Sequence, residues 1–301
     1  MDDDFQARLI EQQDRFQTGD WRSIEAGTAG RRLTWLREHT SLWEGKPVSP
    51  RRAFELLFFE KMGLNPIDLP VVSESDNEIT WRSQNPCATL AACQALGLDT
   101  RLVCRASYEK STQVFFSQVD PQLRFYRSYT EIRPYAPYCL EHIERVDFPP
   151  MMALAVEEAR QSRREGNKGY GAVLWHSGRV VARAHDTAAT AGDPSLHAEL
   201  TAIRAAAQML GDPNLSGGVL FATCEPCPMC SSLAVWANLT TIVYGVSIEE
   251  TVQMGKARIR VGAAEIAVRS PVMLEVIGGV LAEECARLYA PDLARPAQSV
   301  R

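Results

Sequence analysis

The second half of the chain predicts an α/β sandwich on a mixed sheet, and the first half a separate α+β domain. Two observations carry this. From about residue 149 onward short apolar strands alternate with amphipathic helices, the spacing of a layered α/β architecture. Before that point helical and strand-like stretches follow one another with no regular alternation and no internal repeat. Pro149-Pro150 separates the two patterns, so the expected domains are 1–148 and 149–301, a comfortable division of 301 residues.

Taken in order, Phe5 to Gly45 reads as helical, with Leu9, Ile10, Phe16, Leu33, Leu36 and Trp43 recurring among polar residues. Ser49-Pro50 opens a helix carrying Phe54, Leu57, Phe58 and Met62, which Gly63, Asn65 and Pro66 end. Glu78 to Arg82 alternates as a strand. Asn85-Pro86 begins a helix that Gly97 stops, and Thr100 to Tyr108 reads as another. Val114 to Tyr129 contains strand-like apolar runs broken at Asp120-Pro121.

In the second half, Met151 to Arg163 is an amphipathic helix. Gly171–Trp175 and Arg179–Ala184 form a hairpin around His176-Ser177-Gly178. Leu196–Met209 is a helix, Val219–Thr223 a strand, Cys227–Ala237 a helix and Thr241–Val246 a buried strand. Pro271 to Tyr289 is expected to be a final helix.

Composition narrows the class. Apolar residues make up 46% and charged residues 23%, so a globular chain is expected. The net charge of −5 argues against a large polyanionic partner. No apolar run reaches the roughly 20 residues of a membrane span. The acidic start, Met1-Asp2-Asp3-Asp4-Phe5, is not that of a signal peptide, and a cytoplasmic location is expected. Eight cysteines then read as reduced thiols or metal ligands.

The chemistry concentrates between Leu196 and Cys230. His197, Cys227 and Cys230 are ligand types that suit Zn2+, and three protein ligands leave the fourth position open for water, as in a catalytic site. Glu199 lies in the same first helical turn as His197. Cys227 and Cys230 are three apart at the start of the next helix, so both thiolates can face one point, and helix N-termini favour their ionised form. Zinc lowers the pKa of its water toward about 7, and Glu199 is placed to move a proton between that water and a bound substrate. The alternative is a closed structural site in which Cys224 completes a Cys3His set. Such a site leaves Glu199 without a role.

His197-Ala198-Glu199 followed by Pro226-Cys227-Pro228-Met229-Cys230 is the zinc-deaminase signature. Residues from about 150 to 290 resemble the cytidine deaminase-like superfamily, and within it guanine deaminases and tRNA adenosine deaminases. Asp193 to Arg204 and Cys224 to Cys230, with Trp236-Ala237, are similar to the guanine deaminase segments. Glu275 to Cys285 resembles the C-terminal helix of tRNA adenosine deaminases. The resemblance implies a three-layer α/β/α deaminase fold, zinc on His197, Cys227 and Cys230, Glu199 as proton shuttle, and a homodimer.

For the substrate it implies an amino-substituted nucleobase or nucleoside. Asp186 stands where the family has a base-binding asparagine, eleven residues before His197. An ionised Asp only accepts hydrogen bonds, which suits a base edge presenting an amine or ring N–H; Asp186 is also a residue type common in turns. Glu250 falls where guanine deaminases carry an acidic residue near the amino group, and Trp236 matches a pocket tryptophan. Each also has a plainer role, as a solvated loop charge or as core. An RNA substrate would add a cluster of Lys and Arg. Arg258, Arg260 and Arg269 are diluted by Glu249, Glu250 and Glu265, so the small molecule is favoured over nucleic acid.

The first domain carries Cys87, Cys93, Cys104 and Cys139, with His142 nearby. They could hold a second metal, but the spacings include no C-x-x-C pair, and buried apolar-like cysteines explain them as well. Arg124, Tyr126, Arg127, Tyr129, Arg133 and Tyr135 interleave bases with aromatics, a pattern that can suit anions. The readings that follow are a zinc deaminase of a small ring, a tRNA adenosine deaminase, or a binding or sensor protein on a deaminase scaffold. An intact Glu199 argues against the last.

Overall fold

The computed structural model describes residues 3–45, 48–270 and 272–290. The chain divides into two compact units, Met1–Asp147 and Phe148–Arg301.

The first unit opens with helices α1 (Asp3–Gln17) and α2 (Trp21–Glu38). Asp20 caps α2 by accepting the Ser23 N–H and hydroxyl. Helix α3 (Pro50–Glu55) starts on Ser49, with Pro50 at its first position, and widens into π turns over Leu56–Lys61. Strands β1 (Val71–Glu74) and β2 (Glu78–Ser83) follow. Helices α4 (Ala88–Leu96), α5 (Thr100–Cys104) and α6 (Lys110–Val119) come next, a π segment joining the last two. Strands β3 (Leu123–Arg127) and β4 (Cys139–Arg145) complete an antiparallel sheet in the order β1-β2-β4-β3. Phe54, Trp81, Phe116 and Phe125 pack its core.

Two elements differ from expectation here. Val114–Val119 is helical, not extended: Phe115 and Phe116 are fully buried in the core, so packing overrides their strand propensity. Strand β4 is central to the sheet although it reads as polar, because its buried Glu141 is bonded by Arg127 and Ser83.

The second unit begins with α7 (Phe148–Arg164) and the hairpin β5 (Gly171–His176) and β6 (Arg179–His185). Then come α8 (Ala188–Ala191), α9 (Ala198–Leu210), β7 (Val219–Cys224), α10 (Pro228–Trp236) and β8 (Thr241–Val246). The unit closes with α11 (Ile248–Gln253), α12 (Ala263–Val268), β9 (Glu275–Ile277) and α13 (Ala282–Arg287). The sheet order is β6-β5-β7-β8-β9, with β5 antiparallel to β6 and β7, and β7, β8 and β9 parallel: a mixed sheet.

Helices cover both faces. Ala172, Leu174, Leu220 and Ile242 point to one face, where Ala198, Ala202 and Ile203 of α9 and Ala234 of α10 meet them. On the other face α7 lies so close to β5 that a Cβ on Gly171 would sit 2.0 Å from the Ala155 carbonyl. Strands covered on both sides carry near-continuous apolar runs, as β7 and β8 do.

The expected final helix is replaced by β9 and α13. Gly278-Gly279 breaks it, Gly279 taking a φ of +87° that few other residues adopt. The stretch Glu275 to Cys285 is therefore strand, turn and short helix. Pro271 lies outside the described residues.

Candidate active site

Two helix N-termini and the end of a strand build the site. His197 is the N-cap of α9, and Cys227 the N-cap of α10, with Pro228 fixing the first turn. Cys230 follows one turn on, so its sulfur faces the same point as that of Cys227. His197 Nδ1 lies 3.6 Å from Cys227 Sγ and 3.7 Å from Cys230 Sγ. Among the described residues this is the only group of three or more His, Cys, Asp or Glu side chains whose ligand atoms all come within 4.8 Å of one another. One imidazole nitrogen and two sulfurs converging so closely is a donor set that fits a zinc ion with an open fourth position.

The electrostatics agree with the geometry. The Cys227 thiol is held down to about 4, chiefly by the hydrogen bond from Cys230 and further by His197, against the effect of burial. Cys230 is correspondingly pushed up by its bond to Cys227 and by burial. His197 is raised, mainly by Cys227.

Glu199 is 7% exposed, with Oε2 3.8 Å from Cys230 Sγ. Burial pushes its carboxyl up to about 7, the charge of Cys227 adding to the effect and a backbone hydrogen bond opposing it.

Asp186, immediately after β6, is 0% exposed, and neither carboxylate oxygen has a hydrogen-bond partner in the protein. Its backbone is held, the N–H donating to the Tyr170 carbonyl and its own carbonyl accepting from Ser162. The Asp186 charge reaches both His197 and Tyr170. A buried carboxylate with both oxygens unmet is costly to the fold.

Other expected residues lie elsewhere. Cys224 ends β7 and its sulfur accepts from Arg258 Nη2 at 3.0 Å, outside the ligand group. Trp236 is 76% exposed at the end of α10, outside both the core and the cavity lining, while Ala234 and Val235 of the same turn are buried. Glu250 is spent on a capping box, its carboxylate accepting from the Ser247 N–H and hydroxyl at 2.7 Å. Cys87, Cys93, Cys104 and Cys139 do not form a ligand cluster: Cys87 caps α4, Cys93 is buried within it, and the sulfurs do not converge to ligand range. Nor do the interleaved bases and aromatics of β3 form an anion surface. Arg127 pairs with Glu141, Tyr129 donates to Glu109, and Arg124 is buried.

Two features escaped sequence reasoning. Glu225, inside the cysteine motif, is buried and accepts the N–H groups of Ile248 at 2.9 Å and Ala263 at 2.8 Å, joining the first turns of α11 and α12. A cavity of about 620 Å3 opens beside His197, lined among others by Tyr170, Lys168, Lys256 and Arg258. Tyr170 is a fixed wall, stacked on Tyr289 at 5.1 Å with the Arg258 guanidinium 4.6 Å over its ring.

Residues 149–246 match the family described as the cytidine and deoxycytidylate deaminase zinc-binding region. The tRNA-specific adenosine deaminase of Bacillus subtilis (strain 168) is 34% identical over 134 residues, 44% of this chain and 81% of that protein. The chain belongs to the cytidine deaminase-like superfamily. Guanine deaminase of the same organism is 36% identical over 86 residues, 29% of this chain and 55% of that relative. A solved structure from work on A-to-I editing by tRNA:A34 deaminases at the wobble position of transfer RNA is 31% identical. It aligns 46% of this chain with 98% of that one at a TM-score of 0.40. The deaminase domain is thus a zinc-binding one, and the family match begins at residue 149. No helix among the described residues is long and apolar enough to cross a membrane.

Proposed function

We propose that the deaminase domain hydrolyses the exocyclic amine of an amino-substituted nucleobase or nucleoside and releases ammonia. The observation that carries this is the convergence of His197, Cys227 and Cys230 with the buried carboxyl of Glu199 only 3.8 Å from one of the sulfurs. His197, Cys227 and Cys230 would hold a zinc ion, which would supply a water that ionises near neutral pH. Glu199 would carry one proton from that water to the ring nitrogen as the oxygen adds to the ring carbon, and then the remaining proton of that oxygen to the amine as the C–N bond breaks and ammonia leaves. Asp186 accepts hydrogen bonds from the N–H groups of the ring edge, filling the two acceptors that the fold leaves open. A homodimer belongs to the same reading.

A tRNA substrate is the second reading, favoured by the identity with the tRNA-specific adenosine deaminase over 81% of its length. The test is an ammonia-release screen of the zinc-loaded full chain across free bases, nucleosides, triazines and pterins, with a tRNA pool added as a separate arm. Glu199→Ala should keep its zinc and lose turnover by about 10²- to 10⁴-fold. A Glu199→Ala protein that releases ammonia as fast as the native chain refutes the mechanism.

A further inference from the structure

His185, the last residue of β6, stands directly before Asp186 and has a carboxylate on each ring nitrogen. Nδ1 lies 2.9 Å from Glu158 Oε2 and Nε2 lies 3.0 Å from Glu165 Oε2. Ionised carboxylates only accept, and a neutral imidazole has one N–H to give, so both bonds together require the imidazolium. The other charged groups around the ring are accounted for. On α7, Glu157 and Glu158 hold Arg183 of β6, each at 2.9 Å, so Glu158 gives one oxygen to Arg183 and the other to His185. Gln161 donates to Glu165 Oε1 at 2.7 Å and accepts from Arg164. Opposite His185 on β5 stands Gly171, and α8 carries no charge.

Glu165 is where this pair reaches the site. It follows the last residue of α7 and opens the loop 166–170, of which Gly166, Asn167, Lys168 and Tyr170 line the cavity beside His197. The loop has no regular structure of its own and is placed by side-chain and backbone bonds to the end of β6 and to α8. Asn167 accepts the Thr190 N–H at 2.9 Å and donates to its hydroxyl at 3.0 Å. The Gly169 N–H donates to Ser162 Oγ, whose hydroxyl donates to the Asp186 carbonyl at 2.7 Å. The Asp186 N–H closes the circuit on the Tyr170 carbonyl at 2.9 Å. The His185–Glu165 bond thus ties the start of the cavity loop to the strand end that carries Asp186.

We infer that His185 is a positioning residue for substrate binding: as the imidazolium it latches the loop 166–170 against Asp186, and on losing its proton it releases that wall of the cavity. The inference rests on the deaminase reading for what the wall binds, not for the latch itself. Burial lowers the His185 pKa, but the hydrogen bonds to Glu158 and then Glu165 outweigh it and leave the group above its usual 6.5. The latch is therefore complete below 6.5 and is lost as the pH rises through the raised value. Glu165 is lowered, first by Gln161 and then by His185, and stays ionised throughout that range.

The experiment uses the zinc-loaded full chain at about pH 6 and about pH 8.5 and has two readouts. One is hydrogen-exchange protection of the Gly169, Asp186 and Thr190 amides, taken relative to the amides of β7. The other is KM and kcat for the compound of the ammonia-release screen that is turned over fastest. In the native chain protection should fall about three- to tenfold between the two pH values and KM should rise by the same factor, the effect of one charged hydrogen bond at a partly exposed site. His185→Gln should show the loosened values already at the lower pH, with zinc content and circular dichroism unchanged. His185→Lys, whose charge persists at the higher pH, should keep the tight ones. Comparing native and variant chains at one pH removes the titration of Glu199, which all of them share. Native protection and native KM in His185→Gln at the lower pH overturn the inference. Protection that follows the charge at position 185 while KM does not also overturns it, and leaves an ion pair that only stabilises the fold. Protection that follows the charge in a chain that releases no ammonia refutes the deaminase reading and leaves the latch standing.

Discussion

Glu225→Ala tests whether one carboxylate organises the wall of the active site. Glu225 lies two residues before Cys227, the proposed ligand, yet its oxygens accept the N–H groups of Ile248 and Ala263, each the first residue of a short helix. The contact is tight, since a Cβ on Gly262 would sit 2.7 Å from Glu225 Oε1. Removing the side chain strands two buried donors and takes a negative charge from two helix N-termini. At about 1.5–3 kcal/mol for each charged hydrogen bond, the expected loss is roughly 3–6 kcal/mol. In a unit of this size that is a fall in melting temperature of about 10 °C. Glu225→Gln keeps one acceptor and turns an NH2 toward the other donor, so it should lose about half as much or more. Thermal unfolding reads the total, and hydrogen exchange at Ile248 and Ala263 locates it. The segment between those two amides carries Lys256 and Arg258, so substrate binding should weaken in step. A Glu225→Ala protein within 1 kcal/mol of the native chain, with both amides still protected, would refute the clasp.

Three further outcomes follow from the same geometry. Cys224→Ser should retain zinc and turnover, because Cys224 sulfur bonds Arg258 and stands outside the ligand group; stoichiometric loss of zinc by metal analysis would restore the closed Cys3His site. Asp186→Asn should change which rings are turned over, since it replaces one of two unmet acceptors with a donor; an unaltered substrate ranking contradicts the assignment. In the first unit, Glu144 stands opposite Glu78 in the strand pair, while Arg124 on its other side turns its guanidinium to Ser117 and the Pro121 and Leu123 carbonyls. Burial first, and Glu78 second, push the Glu144 carboxyl from 4.5 to about 7, so stability present below 4.5 is lost as the pH rises through 7. Glu144→Gln should match the native chain at pH 5 and exceed it by about 1–2 kcal/mol at pH 8, allowing for partial solvation; equal pH profiles would remove the effect.

What was legible in the sequence was set by how local its cause is. His197 with Glu199, and Cys227 with Cys230, each stand within one helical turn, so spacing sets each pair and the family signature joins the two pairs, while the alternation after residue 149 announces a layered sheet. Where a partner far along the chain decides the outcome, spacing was mute. Strand β4 looks polar because its buried Glu141 is neutralised by Arg127, fourteen residues away. Val114–Val119 looks extended because its aromatics favour strands, and only the core they enter makes them helical. Trp236 and Glu250 were assigned by position in a family pattern, but the first faces solvent and the second is consumed by Ser247.

The same contrast explains why the metal centre is easier to read than the substrate. Zinc needs three ligand atoms, and two adjacent helix starts supply them. The substrate side is assembled from the ends of β6 and α7 and from the segment after α11, none adjacent in sequence to the motif. Lys168, Lys256 and Arg258 line one cavity with His197, and Glu225 ties α11 and α12 to the cysteine loop. The unmet carboxylate of Asp186 and the lysines of the cavity are thus placed by tertiary contacts that no local spacing announces.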